Sequence, residues 1–173
     1  MKQNISIITT ALLIILIPFS VYIGITFVAG LAGIVNKVPE MANSFISRNF
    51  YALTPPSDTE TSLFLIGYAA VMAYLFVGVN NLRLTFSDIA KKGTFSHGTS
   101  DRLYKAGIAI IRFAFLKYAL FGIFGALCLS DIFSLFSEFV PLIVFSFCGK
   151  FILIIAGMAE QGEILLEETE LTI

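Results

Sequence analysis

Apolar residues run almost unbroken from Ile5 to Val35, and three more such runs occupy 61–82, 103–129 and 139–159. Each is near or above the ~20 residues that carry a helix across the hydrocarbon core of a bilayer. The pattern predicts four membrane-spanning helices. The first run, at ~1.5 Å per residue, is longer than a bilayer core needs, so it is expected to tilt or to extend beyond the membrane. Pro18 lies inside it as a candidate kink. A cleaved signal peptide is the rival reading. Its basic end is only Lys2, the run is too long, and Ala29, Gly30, Ala32 and Gly33 make only a loose cleavage pattern, so retention is expected.

Polar stretches separate the runs. Residues 36–60 form a loop that ends in Thr54-Pro55-Pro56-Ser57-Asp58, a combination that stops one element and caps the next. Glu60 then falls in the first turn of the second helix, near the positive end of its dipole. That helix is expected to continue past Arg83, Asp88 and Lys92 and to stop at Gly93. Within the loop 83–102, Ser96, Thr99 and Ser100 are candidate caps for the third helix, with Asp101 in its first turn. The connector 130–138 carries Phe133, Leu135 and Phe136 and is expected at the membrane interface. An acidic tail, 160–173, closes the chain.

Composition turns this pattern into a class. Of 173 residues, 57% are hydrophobic and only 13% charged, with a mean hydropathy of +0.90. Soluble domains are about 45–50% apolar and about 25% charged. A chain of this length with so few polar residues cannot cover itself with a polar surface. The expectation is one membrane domain, 1–173: an all-α, integral membrane four-helix bundle. Cys128 and Cys148 both sit in apolar runs and read as buried free thiols.

Charge sets the orientation. The segment 83–105 holds Arg83, Lys91, Lys92, Arg102 and Lys105, and the N-terminus adds Lys2; the other side has only Lys37 and Arg48. Lysine and arginine accumulate on the cytoplasmic side, so both termini and the basic loop are expected there: N-in and C-in, in the inner (plasma) membrane of a bacterium.

Candidate chemistry is sparse. His97 is the lone histidine, in a turn-rich loop, where a zinc site needs three or four ligands and a haem anchor needs axial-ligand candidates. Gly93 and Gly98 do not make a phosphate loop. Asp131 and Glu138 are placed at the outer rim, so no carboxylate is expected at membrane depth. The sequence predicts no catalytic residue, no metal ligand and no cofactor, hence not an enzyme.

What stands out is cationic. Arg112, Lys117 and Lys150 fall inside the third and fourth runs, where a charge costs at least ~2.5–3.5 kcal/mol on insertion scales and usually marks function or a partner. Three readings stay open: snorkelling to an interface, a water-filled cavity for an anionic ligand or membrane lipid, and pairing with another subunit, including a homo-oligomer. No acidic residue in the first two spans offers an internal ion pair. If Lys117 and Lys150 are both near mid-span, their depths are compatible with one shared cavity. Glycines and alanines (Gly30, Gly33, Gly67, Ala69, Ala70, Ala73, Gly78, Gly122, Gly125, Ala126) permit close helix packing. The 18 phenylalanines read as lipid-facing bulk and packing.

Two short stretches carry a resemblance. One is Gly93-Thr94-Phe95-Ser96 followed by Thr99, Leu103 and Gly107; the other is Gly162-x-x-x-Leu166-Glu167-Glu168-x-x-Leu171-Thr172-Ile173. Together they resemble the uncharacterised bacterial membrane proteins of domain-of-unknown-function family 2975, which have four predicted spans, a G-x-P-F-S loop and an ending like E-x-D-L-T-I. Here Thr94 stands for the usual proline and Glu170 for the usual aspartate. The resemblance brings no activity. It implies a membrane partner of a cytosolic helix-turn-helix regulator, without direct contact to nucleic acid. The expected docking residues are Lys91, Lys92, Phe95, Ser96 and Arg102 of the basic loop and Glu167, Glu168 and Leu171 of the acidic tail. The resulting expectation is a regulatory or sensory membrane component. Its alternatives are lipid or anionic-ligand handling in the bundle and an accessory subunit of a membrane complex.

Overall fold

The computed structural model describes residues 2–50, 56–92 and 98–170. Five helices appear there in chain order, and no strand: α1 (Lys2–Val35), α2 (Glu40–Asn49), α3 (Asp58–Lys92), α4 (Thr99–Cys128) and α5 (Phe133–Glu170). α1, α3, α4 and α5 are each long and apolar enough to cross a membrane. The protein is an all-helical, multi-pass membrane protein. Short connections make successive long helices antiparallel neighbours. α1 packs on α3, α3 on α4 and α4 on α5, while α1 and α5 share no extensive interface. In the most apolar window of α1 and of α5 only 11% is buried, against 44% in α3 and α4, so α1 and α5 are the flanks.

Helix ends explain where each span begins. Ser57 and Glu60 form a reciprocal cap on α3: the Ser57 amide donates to Glu60 Oε2 (2.8 Å) and the Glu60 amide to Ser57 Oγ (3.3 Å). Between α4 and α5 the amides of Leu129 and Asp131 both donate to the Gly125 carbonyl, and Ser130 takes a positive φ of 53°. Asp131, buried, accepts the Phe133 amide on Oδ1 (3.0 Å). This tight turn starts α5 at Phe133, so most of the expected interfacial connector 130–138 is helix. Pro18 and Pro141 both lie inside continuous helices, as membrane helices tolerate when neighbours and side chains satisfy the backbone.

The polar loop 36–60 also contains an element that its sequence pattern left unassigned. Ala42, Ile46 and Phe50, four residues apart, are buried on one face of α2 and at its end, while Glu40, Ser44 and Arg48 are exposed. Ile46 and Phe50 enter an aromatic core with Phe64, Tyr68, Phe121 and Phe124. Phe64 stacks on Phe124 at 4.3 Å between centroids, and Phe50 on Phe121 at 5.2 Å. α2 therefore seals the bundle end opposite the chain termini. Other phenylalanines, such as Phe115, Phe147 and Phe151, are exposed as lipid-facing residues should be.

Of the expected small residues, Gly30, Gly33, Gly67, Gly78, Gly122 and Gly125 sit at helix contacts and Ala126 is exposed; Gly107 and Gly149, not among them, make a further close contact. A Cβ on Gly107 would lie 2.9 Å from the Gly149 carbonyl oxygen, and one on Gly149 equally close to the Gly107 carbonyl oxygen. On α3, Ala69 is buried, but Ala70 and Ala73 are exposed.

Candidate functional site

Two polar assemblies interrupt the apolar fold. The first is at the end of the bundle where α3 stops, α4 starts and α5 runs on past the apolar layer. The N-cap of α4 is Gly98, whose φ of 85° favours glycine and which has no side chain to cap with; of the expected caps, Thr99 and Ser100 lie inside the helix and Ser96 lies outside the described residues. The cap comes from α5 instead. Glu163 Oε1 accepts the amides of Thr99 and Ser100, both at 3.1 Å, and Oε2 accepts Ser100 Oγ at 3.0 Å. A carboxylate here satisfies orphan amides and meets the positive end of the helix dipole. Arg102 pairs with Asp88, tying α4 to α3. Lys105 pairs with Asp101 at 2.6 Å, both solvent-exposed.

Of the expected docking residues, Lys91 is exposed and Arg102 is engaged with Asp88. The side chains of Lys92, Phe95, Ser96, Glu167, Glu168 and Leu171 lie outside the described residues, as does His97. The tail expected at 160–173 is helical as far as Glu170. Glu163 was not singled out by sequence. Its only trace was a glycine where α4 needed a cap and an acidic helix passing the same end.

The second assembly lies within the span. Lys117 Nζ sits 2.5 Å from Glu138 Oε2, and the two side chains are only 17% and 12% exposed. The same ammonium is 5.0 Å from the centroid of the Phe121 ring, a cation–π contact. Tyr68 lies edge-on to the same Phe121 ring, 5.8 Å between centroids, and shares a hollow with Tyr22. One polar group from each long helix thus lines up across the row: Tyr22, Tyr68, Lys117, Glu138.

This corrects two expectations. An internal ion pair exists, because the tight turn after Cys128 lets α5 start early and carries Glu138 more than a turn into the helix rather than onto the rim. Lys117 and Lys150 also do not share a cavity. Gly122 faces Leu135 and Gly107 faces Gly149. That register places Lys150 level with Gly107, roughly ten residues or ~15 Å along the axis from Lys117. Lys150 is exposed beside a 210 Å³ hollow with Phe115, Ser146 and Phe147, and makes no ion pair among the described residues. The Ser146 hydroxyl is buried there without a hydrogen-bond partner. Arg112 is exposed on α4.

Among the described residues no group of three or more His, Cys, Asp or Glu could hold a metal ion. Comparison with protein-family models, with curated proteins and with solved structures returned no match.

Proposed function

We propose that this chain is a non-enzymatic regulatory component of a bacterial inner membrane, with both termini in the cytoplasm, that binds a cytosolic partner at its polar end. The carrying observation is the latch of Glu163 on the first turn of α4. It holds α5 against the start of α4, at the same end of the bundle as the exposed Lys91. The charged residues near that latch, Lys91, Asp101, Lys105 and Glu160, suit a protein partner of mixed charge. The resemblance to family 2975 makes a helix-turn-helix regulator the first partner to look for.

Affinity capture from native membranes with mass spectrometry tests this reading. A cytosolic protein should be recovered with the wild type and fall about tenfold or more with Lys91→Glu, the effect of ~1.4 kcal/mol. Recovery of the same proteins by both forms rejects the reading.

A second reading, anionic-lipid handling, is favoured by Lys150 and the unpartnered Ser146 hydroxyl. It expects less bound anionic lipid in Lys150→Met with the captured protein unchanged.

A further inference from the structure

α1 touches the rest of the molecule mainly through α3, and its close contacts are at Gly30 and Gly33, against Ile66 and Ser62. Between Val21 and Ala32 one side of α1 borders, together with α2 and α3, a hollow of 690 Å³. That volume falls within the ~300–1,000 Å³ of small-molecule sites. Tyr22, Gly24, Ala29 and Ala32 of α1, Pro39, and Tyr68 of α3 are among the residues that line it. The walls are apolar. Thr26 is buried with its hydroxyl already engaged by the Tyr22 carbonyl at 2.8 Å, so it offers a polar ligand no free donor.

We propose that this hollow seats one acyl chain of a zwitterionic glycerophospholipid from the leaflet at the α2 end, with the headgroup between Lys37 and Glu40. Three observations carry the assignment. Helices that cross the membrane form the walls on either side, so lipid is the medium that meets the mouth. The wall from Val21 to Ala32 is about 16 Å long at ~1.5 Å per residue, close to half of the ~30 Å hydrocarbon core, which is the depth of one leaflet. Exposed Lys37 and Glu40 flank Pro39 in the chain, and Pro39 lines the hollow. They offer one charge for a phosphate and one for an ammonium, where a purely anionic headgroup would meet the carboxylate. This site is separate from the polar end in place and chemistry, so it stands or falls independently of a cytosolic partner.

Gly24 supplies the test. A Cβ added there meets nothing within 4 Å, and Gly24 lines the hollow, so a larger side chain starts from open space at its wall. Gly157 on α5 is equally open and remote from the hollow, which makes it the matched control. The full chain is placed in nanodiscs of mixed phosphatidylethanolamine and phosphatidylglycerol, extracted into detergent, and read by native mass spectrometry. The wild type and Gly157→Phe should each retain one phospholipid per chain, mainly phosphatidylethanolamine. Gly24→Phe should retain it about tenfold less or worse, since it displaces buried methylene groups. Lys37→Gln and Glu40→Gln should keep the lipid and lose the headgroup preference. Equal retention by Gly24→Phe and wild type, or no retained lipid in either control form, overturns the proposal. So does a lipid-free wild-type dimer that Gly24→Phe turns into a monomer, since the occupant is then a second copy of the chain.

Discussion

Lys117 is the residue on which sequence and structure part most sharply. Read alone it is one of three costly membrane cations; in the fold it is half of a nearly buried ion pair under the Phe121 ring. Breaking a buried pair leaves an uncompensated charge, whereas replacing both partners by apolar groups is often neutral. Lys117→Met should therefore lower stability by about 3 kcal/mol, while Lys117→Met with Glu138→Leu should stay within ~1 kcal/mol of the wild type. Thermal unfolding in detergent, followed by circular dichroism, gives the cycle; a Lys117→Met protein as stable as the wild type contradicts the pairing. Lys150→Met breaks no pair and should leave the transition where it is. Glycine makes the same contrast. At Gly149 an added methyl would crowd the Gly107 carbonyl oxygen (2.9 Å) and Ile111 (2.5 Å), and backbone cannot step aside. Gly149→Ala should cost about 1–3 kcal/mol through overpacking. Gly157→Ala, into open space, should be neutral or stabilising by up to ~1 kcal/mol through helix propensity.

Among the elements, α5 has two structural tasks: it is an apolar helix of spanning length, and through Glu163 it caps α4. If Glu163 is the cap, Glu163→Ala and truncation after Gly162 should act alike. Loss of a helix cap is worth ~0.5–2 kcal/mol. Hydrogen exchange at the Thr99 and Ser100 amides should rise several-fold in both variants, with proteolysis near Lys91 and Lys92 faster as well. Unchanged exchange in Glu163→Ala means that the extension is not held by this residue. The α2 helix shows why part of the element map escaped the sequence. Ten residues with charges at both ends read as loop, and only the 42–46–50 spacing hints at a buried face. What makes that face bury is the aromatic core waiting on α3 and α4. Phe50→Ala should cost about 3–5 kcal/mol, the usual penalty for emptying a buried phenylalanine site. Urea titration of detergent-solubilised protein measures it, and a shift below ~1 kcal/mol would mean that α2 merely rests on the bundle.

At the scale of the molecule, an even number of crossings brings both termini and the α3–α4 turn to one side, with α2 on the other. In a background with Cys128 and Cys148 replaced by alanine, Ser57→Cys should react with an impermeant thiol reagent only from outside the cell. Ser96→Cys should react only after the membrane is opened. Labelling of both from one side excludes four crossings, and the reverse pattern inverts the orientation. The row order α1–α3–α4–α5 leaves two flanks facing lipid, and the hollow along α1 is a consequence of that order. A closed bundle would have covered α1 on both sides.

The sequence by itself determined the class: four apolar runs of bilayer length, too few charges for an aqueous surface, and small residues at the helix contacts. These properties are local or compositional, and a bilayer reads them span by span. Helix ends that are capped within a few residues, as at Ser57 and Glu60, were legible for the same reason. The tertiary structure decided which charges meet. Lys117 with Glu138 depends on the register of two antiparallel helices, and Glu163 with Thr99 and Ser100 on a contact across more than sixty residues. It also decided that Lys117 and Lys150 lie apart, and that a polar loop becomes a helix with its apolar face in the core. A one-residue shift in register or in a helix start rotates a side chain by ~100° about the axis. No pattern along a single chain specifies that angle; the packing of neighbouring helices does.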